Sequence, residues 1–248
     1  MTLKEFYVRF FVVRRCGGCG EILSPDRRLT AFCTRCHTSW SFEMNRSCGE
    51  CFLPARECSC MPKQLSRSGA LCLRRLFFYE NESANTPGMR LIYLLKRRAD
   101  LRMSSFVASE LESALREEMS ALSLDGSDVV VTWVPRRRAA RNSRGFDQAE
   151  LVARALASLV GAECEALIRS RLFAKEQKRL DKAQRAKNAS ANITLARKVD
   201  IDGRYVIIYD DMVTTGASMS ACVSLLRQAG ARGVMCFSMS TRQKMADK

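Results

Sequence analysis

The chain has 248 residues, 47% of them hydrophobic, and a formal net charge of +15 from 41 Lys and Arg against 26 Asp and Glu. That length allows one ordinary domain plus a small one, and the apolar content is that of a globular protein with a core. No apolar run approaches the ~20 residues needed to cross a bilayer, which argues against a membrane span, while the charge favours an anionic partner such as a phosphate backbone.

The first apolar stretch, residues 6–15, is broken by Arg9 and is followed by cysteines rather than by a small-residue cleavage site. A short helix or strand docking on the rest is expected there, not a signal peptide, and the protein is read as cytoplasmic. Eight of the 12 cysteines then form four close pairs: Cys16/Cys19, Cys33/Cys36, Cys48/Cys51 and Cys58/Cys60. A Cys-x-x-Cys knuckle lets two thiolates converge on one tetrahedral cation, and two knuckles complete a site. Neighbouring pairs predict two structural Zn²⁺ ions, one held by Cys16, Cys19, Cys33 and Cys36 and the other by Cys48, Cys51, Cys58 and Cys60.

The first site, with thirteen residues and an expected β-hairpin between its knuckles, is the stronger pattern. The second ends in Cys-x-Cys, and Cys72 or His37 is an alternative ligand there. Two bound Zn²⁺ ions on eight thiolates leave the chain at about +11, still strongly basic. Disulfides are not expected in a reducing compartment, and metal binding would supply folding free energy to a segment too short for a large core. Cys164, Cys222 and Cys236 lie in apolar patterns and are expected to be buried.

Beyond a linker at residues 62–69 the pattern changes, dividing the chain into a zinc-ribbon domain at 1–64 and a second domain at 65–248. A helical turn is predicted at 91–96 and an amphipathic helix at 105–122, from the spacing of Phe106, Val107, Leu111, Leu115, Met119 and Leu122. Residues 129–134 form a β-branched run stopped by Pro135, a buried strand. Residues 148–159 are again helical and end near Gly161. A strand at 205–209, a helix at about 218–228 and a strand at 233–239 follow. Alternation of this kind predicts a mostly parallel α/β sheet covered on both faces, with its ligand at the carboxyl ends of the strands, where strand order reverses.

At the end of the 205–209 strand stand Asp210 and Asp211, then Met212 and Val213, then Thr214, Thr215, Gly216, Ala217 and Ser218. Hydroxyls, successive backbone N–H groups in a Gly-containing turn and the positive end of a helix form an anion cradle. Two carboxylates ahead of that cradle suit a sugar phosphate, whose phosphate enters the turn while its hydroxyls donate to the acids. The stretch resembles the phosphoribosyl pyrophosphate (PRPP) signature of type I phosphoribosyltransferases. That resemblance implies that Asp210 and Asp211 bind the ribose hydroxyls, that Thr214 to Ser218 bind the 5′-phosphate, and that Mg²⁺ accompanies PRPP. The loop Val134-Pro135-Arg136-Arg137-Arg138 occupies the place where that family holds pyrophosphate.

In order along the chain, the cysteine pairs, Leu94-Leu95-Lys96, Val134-Pro135, Arg144-Gly145-Phe146-Asp147-Gln148, Gln177, Arg185, Asn188 and the phosphate loop resemble the ComF family of competence-associated proteins. Asp147 stands where that family usually has Asn. The resemblance implies a type I phosphoribosyltransferase-like sheet behind a double zinc ribbon, PRPP and single-stranded DNA as partners, and a role beside the DNA-uptake machinery in natural transformation. Residues 135–188 carry fourteen Lys/Arg against six Asp/Glu. Within them residues 169–187 match the mobile loop that closes over PRPP in related phosphoribosyltransferases, and Arg136, Arg137, Arg141 and Arg144 are candidate contacts to pyrophosphate or nucleic-acid phosphate. Phe32, Trp40, Phe42 and Phe52 are candidates either for base stacking or for the core.

The alternative is an active phosphoribosyltransferase of nucleotide metabolism with an unknown acceptor, in which electrostatic positioning dominates and no catalytic side chain is identified. A regulator that only senses PRPP is disfavoured because no helix-turn-helix is recognisable. A glutamine amidotransferase is disfavoured because residue 2 is Thr rather than Cys.

Overall fold

Successive residues of a strand point to opposite faces of its sheet, and residues 205–209 divide accordingly. Ile207 and Tyr209 enter one apolar core with Val129, Val131 and Trp133, while Val206 and Ile208 enter another with Val130 and Val234. Strands buried on both faces read as unbroken apolar runs, which is the mark of a parallel sheet.

The computed structural model describes residues 2–27, 29–80, 85–136, 145–170, 193–196 and 199–243. Its helices are α1 (Leu3–Phe11), α2 (Thr34–Met44), α3 (Lys63–Arg67), α4 (Pro87–Arg97), α5 (Leu101–Ala121), α6 (Gln148–Val160) and α7 (Ala217–Gln228). Its strands are β1 (Ala70–Tyr79), β2 (Val129–Trp133), β3 (Glu163–Cys164), β4 (Ile168–Ser170), β5 (Ile193–Leu195), β6 (Tyr205–Val213) and β7 (Gly233–Arg242). Five strands form one sheet in the order β1-β7-β6-β2-β3, with every pairing parallel. A small antiparallel pair, β4 with β5, stands apart. Helices α4, α5 and α6 cover one face, and α3 and α7 the other. From β2 the chain moves outward to β3, and from β6 it moves outward the other way to β7. The junction of β2 and β6 is therefore the switch point of the sheet.

The predicted elements are present, with bounds set by capping and pairing. Helix α4 starts before the expected turn because Thr86 caps it and Pro87 occupies its first position. Asp100 starts α5 by accepting the Met103 N–H at 3.1 Å, and Gly161, in the left-handed region at φ 67°, ends α6. Strand β6 outlasts its apolar run because Met212 and Val213 stay paired with Ser240 and Thr241 of β7.

Strand β1 has no counterpart in the sequence reading. Arg74 and Arg75 interrupt its apolar run, yet it forms an edge of the sheet beside β7. Arg74 lies on Glu117 and Glu118 of α5 at 2.9 and 2.5 Å, and Arg75 is 3% exposed.

The cysteine-rich segment shares the main core. Cys16, Leu23, Phe32, Cys36 and Trp40 pack with Phe77, Leu91 and Met103, and the Trp40 indole stands edge-on to Phe77 at 5.6 Å while its Nε1 donates to Glu110 at 3.0 Å. Phe32 and Trp40 are each 1% exposed, so the stacking role considered for them gives way to packing. Phe42 and Phe52 are exposed.

Polar ties join the same surfaces. Arg102 donates to the carbonyls of Thr30 and Arg15, at 2.7 and 2.8 Å, and Arg90 to that of Gly18 at 3.2 Å. The Glu43 carboxylate, at the end of α2, accepts the Gly88 N–H of α4 at 3.0 Å.

Burial pushes the Glu43 carboxyl up from an ordinary 4.5 to about 7, against the opposing pull of the Gly88 N–H and the Thr86 side chain. An acid with a raised pKa in the folded state stabilises the fold most below its unfolded value, and that stability is lost as pH rises through the folded value. The difference in unfolding free energy between wild type and Glu43→Gln is therefore expected to shift against wild type by about 1–2 kcal/mol from pH 4.5 to pH 7.5, a full shift being reduced by partial solvent access. Urea titrations at the two pH values measure it, and a pH-independent difference would remove Glu43 as the titrating group.

Candidate functional site

The turn after β6 sits at the switch point. Asp210 and Asp211 lie near the carboxyl end of β6, ahead of Met212 and Val213; both are partly buried, and Thr214, Thr215 and Ser218 are exposed. Gly216 is the N-cap of α7 at φ 77°, a conformation that glycine adopts without strain, and it offers the helix no capping side chain. The turn's hydroxyls thus stand at the positive end of α7, where Thr215 Oγ1 accepts the Ala217 N–H at 3.4 Å.

A Cβ at Gly216 would lie 3.4 Å from Pro62 Cβ and Cγ and 3.5 Å from Leu65 Cβ. Gly216→Ala is accordingly expected to cost about 1 kcal/mol of stability through its left-handed φ. It should also reshape the turn enough to weaken anion binding, as a thermal-shift titration with phosphate would register.

Three elements converge on Asp211 of β6. Its Oδ2 accepts from Gln148 Nε2 of α6 at 2.7 Å, pairs with Lys96 Nζ of α4 at 3.3 Å, and lies 4.0 Å from the guanidinium of Arg136, which follows β2. Lys96 also reaches Met212 Sδ at 3.3 Å. Gln148 is 3% exposed, and its Oε1 has no hydrogen-bond partner among the described residues.

The Asp210 carboxylate accepts the Asp211 backbone N–H at 2.9 Å. Burial, reinforced by the neighbouring Asp211 charge, holds its carboxyl well above the usual carboxylate range. Asp147 caps α6 and fixes the Arg136 loop, its two oxygens accepting the N–H groups of Ala149 at 3.1 Å and Arg136 at 3.2 Å. Burial raises its carboxyl and these two N–H groups pull it back. The Asp at this position is thus an intramolecular strut.

Of the predicted basic contacts, Arg136 reaches the site, while Arg137, Arg141 and Arg144 lie outside the described residues, as do Gln177, Arg185, Asn188 and residues 171–187 of the basic segment. Lys96 and Gln148 were quoted in the sequence only as motif members. The signal that could have promoted them is their chemistry: a lysine closing an apolar helix and an amide starting one, each poised to meet a strand-end carboxylate.

The eight paired cysteines gather as expected. Within Cys16, Cys19, Cys33 and Cys36, and within Cys48, Cys51, Cys58 and Cys60, the sulfurs all lie within 4.8 Å of one another. Four thiols so placed are a tetrahedral zinc donor set, and each group could hold one ion. His37 is exposed and Cys72 is buried in the sheet core, so neither joins a group. Cys222 and Cys236 are fully buried as expected, and Cys164 partly so.

The two leading knuckles share one backbone design. In the first, the Gly20 N–H returns to the Cys16 carbonyl at 3.0 Å and the Cys16 N–H reaches Glu21 O at 2.8 Å. In the second, Phe52 returns to Cys48 at 3.1 Å and Cys48 reaches Leu53 at 2.8 Å. Between the two pairs of the first group, the described residues hold a 3-10 turn at Pro25–Arg27 in place of the expected hairpin, a single antiparallel bridge joins Arg15 to Ile22, and Cys33 caps α2 with Cys36 in its first turn.

No protein-family model matches the chain, and no curated protein does. Among solved structures, the chain is similar to a hypoxanthine phosphoribosyltransferase from Staphylococcus aureus, with 12% identity over 58% of this chain and 67% of that one and a TM-score of 0.36. It is similar to a phosphoribosylpyrophosphate synthetase from Mycobacterium smegmatis, with 18% identity over 54% of this chain and 33% of that one and a TM-score of 0.35. It is also similar to a purine phosphoribosyltransferase from Pyrococcus horikoshii, with 14% identity over 58% of this chain and 90% of that one and a TM-score of 0.33. Identities and TM-scores this low leave the fold to be read from its own strand order: a parallel α/β sheet with a hydroxyl-rich turn at its switch point, behind two four-cysteine clusters.

Proposed function

We propose that the chain binds PRPP with Mg²⁺ at the carboxyl end of β6 and acts, as a ComF-like cytoplasmic protein, on single-stranded DNA during uptake. In this reading Asp210 and Asp211 bind the ribose hydroxyls, and Thr214, Thr215, Gly216, Ala217 and Ser218 bind the 5′-phosphate. Arg136, with Arg137, Arg141 and Arg144, contacts pyrophosphate or nucleic-acid phosphate. Residues 1–64 form the zinc-binding part and 65–248 the phosphoribosyl-binding part.

The observation that carries the reading is the placement of two adjacent carboxylates, two residues ahead of an exposed hydroxyl-bearing turn, at the start of α7. A polyphosphate alone would be repelled by the acids, whereas a sugar diol donates to them. Lys96, paired with Asp211 at 3.3 Å, supplies a cation beside the turn, and the unpartnered Gln148 Oε1 supplies a further acceptor.

Calorimetric titration with PRPP at saturating Mg²⁺ tests the site. One binding event per chain is expected, and no heat from a verified folded protein would overturn the reading. The DNA part is tested separately by fluorescence anisotropy on labelled single strands at several salt concentrations. Affinity should fall steeply with salt, and an absent or salt-insensitive signal would remove it. Pyrophosphate release on adding a nucleobase, ribose or amine acceptor would move the reading to an active transferase.

A further inference from the structure

A buried arginine needs an anion, because a guanidinium taken out of water without one is strongly destabilising. Arg75, on β1, is 3% exposed. Among the described residues it makes no ion pair with a carboxylate. Its fork instead turns to the second cysteine group. Nη1 donates to Cys58 Sγ at 3.4 Å, and Nη2 donates to the carbonyl of Cys60 and, at 2.8 Å, to that of Leu73. The guanidinium also lies 5.3 Å from the centre of the Phe78 ring, and Phe78 packs in one small apolar cluster with Cys48, Ala55 and Cys58.

The two groups differ in how their sulfurs are satisfied. Cys16 Sγ accepts two backbone N–H groups, from Gly18 at 3.4 Å and from Cys33 at 3.3 Å. Cys58 Sγ accepts one backbone N–H, from Cys60 at 3.3 Å, and takes its second donor from Arg75. The shortened Cys58-x-Cys60 pair thus adds to its backbone donor a charged side-chain donor from the sheet. Four thiolates around Zn²⁺ carry a net charge of −2, which a half-buried apolar cluster tolerates poorly. A fixed cation against the most buried sulfur halves it.

We infer that Arg75 is an integral part of the second zinc site, the charge partner and sulfur donor that lets a Cys-x-Cys pair hold the ion against the sheet. The site is then built from both parts of the chain. The arginine that obscured β1 in the sequence is there for the metal rather than for the sheet.

The test uses the full chain purified with its zinc. Ions are counted by native mass spectrometry, and their release to a colorimetric chelator is timed. Thiol labelling with peptide mapping then shows which four cysteines each ion leaves. Arg75→Met should release the ion held by Cys48, Cys51, Cys58 and Cys60 at least tenfold faster than wild type, with the other ion leaving at the wild-type rate. Release of both ions at wild-type rates would overturn the inference. Equal acceleration of both would overturn it too, marking Arg75 as a general support of the fold. Arg75→Gln keeps a hydrogen-bond donor and loses the charge, and it covers the case in which Arg75→Met does not fold. Wild-type release of the second ion from that variant is again a negative result.

Discussion

Asp211→Asn is expected to weaken PRPP binding roughly 100-fold, about 3 kcal/mol, while leaving binding of inorganic phosphate within a few-fold of wild type. The reason lies in what Asp211 holds. Its Oδ2 gathers Gln148 at 2.7 Å and Lys96 at 3.3 Å from two different helices. A charged acceptor for a hydroxyl is worth about 1.5–3 kcal/mol, and an asparagine in its place offers one neutral oxygen and an N–H₂ group aimed at existing donors. The sugar would lose its acceptor and Lys96 its tether. The proposed phosphate turn, Thr214, Thr215, Gly216, Ala217 and Ser218, is untouched. Calorimetry with PRPP, ribose 5-phosphate and inorganic phosphate separates the two effects: a loss shared equally by all three ligands would mean a change in general electrostatics, and the diol assignment would fail.

The parts of this arrangement legible in the sequence are those whose chemistry lies in consecutive residues. The strand, the two acids and the hydroxyl turn occupy one run, and the cysteine pairs announce themselves by spacing. Parallel strands were legible as continuous apolar runs because both of their faces are covered. What escaped was chemistry assembled across distance. Lys96 and Arg136 meet Asp211 only because α4 and the end of β2 converge on the switch point, and no local pattern encodes that meeting. Strand β1 was hidden because two arginines mimic a solvated linker, whereas Arg74 is neutralised by α5 and Arg75 by the cysteines. The aromatics of the cysteine-rich segment were ambiguous for a related reason. Phe32 and Trp40 are buried by partners at 77 and 106, far along the chain, while Phe42 and Phe52 stand exposed among the described residues.

Removing the metal should be the most damaging change of all, and unequally so for the two sites. Structural zinc contributes on the order of 10 kcal/mol or more to the folding of small cysteine modules. Cys16 and Cys36 lie in the main core beside Trp40, Phe77, Leu91 and Met103, whereas Cys48 and Cys58 share only a small cluster with Ala55 and Phe78. Stripping the first site leaves four thiols that no longer fix the start of α2, so Trp40, Glu43 and their contacts to α4 and α5 lose their anchor. Cys36→Ser is therefore expected to cost at least ~5 kcal/mol, a fall in Tm of roughly 10–20 °C for a chain of this size, and Cys60→Ser clearly less. The chain has two tryptophans, so a Trp133→Phe background isolates the Trp40 emission, which should shift to the red in Cys36→Ser and hold in Cys60→Ser. Equal losses at the two sites would mean that the small cluster supports the sheet as strongly as the main core does. An unshifted Trp40 would mean that α2 keeps its place on α4 and α5 without its ion.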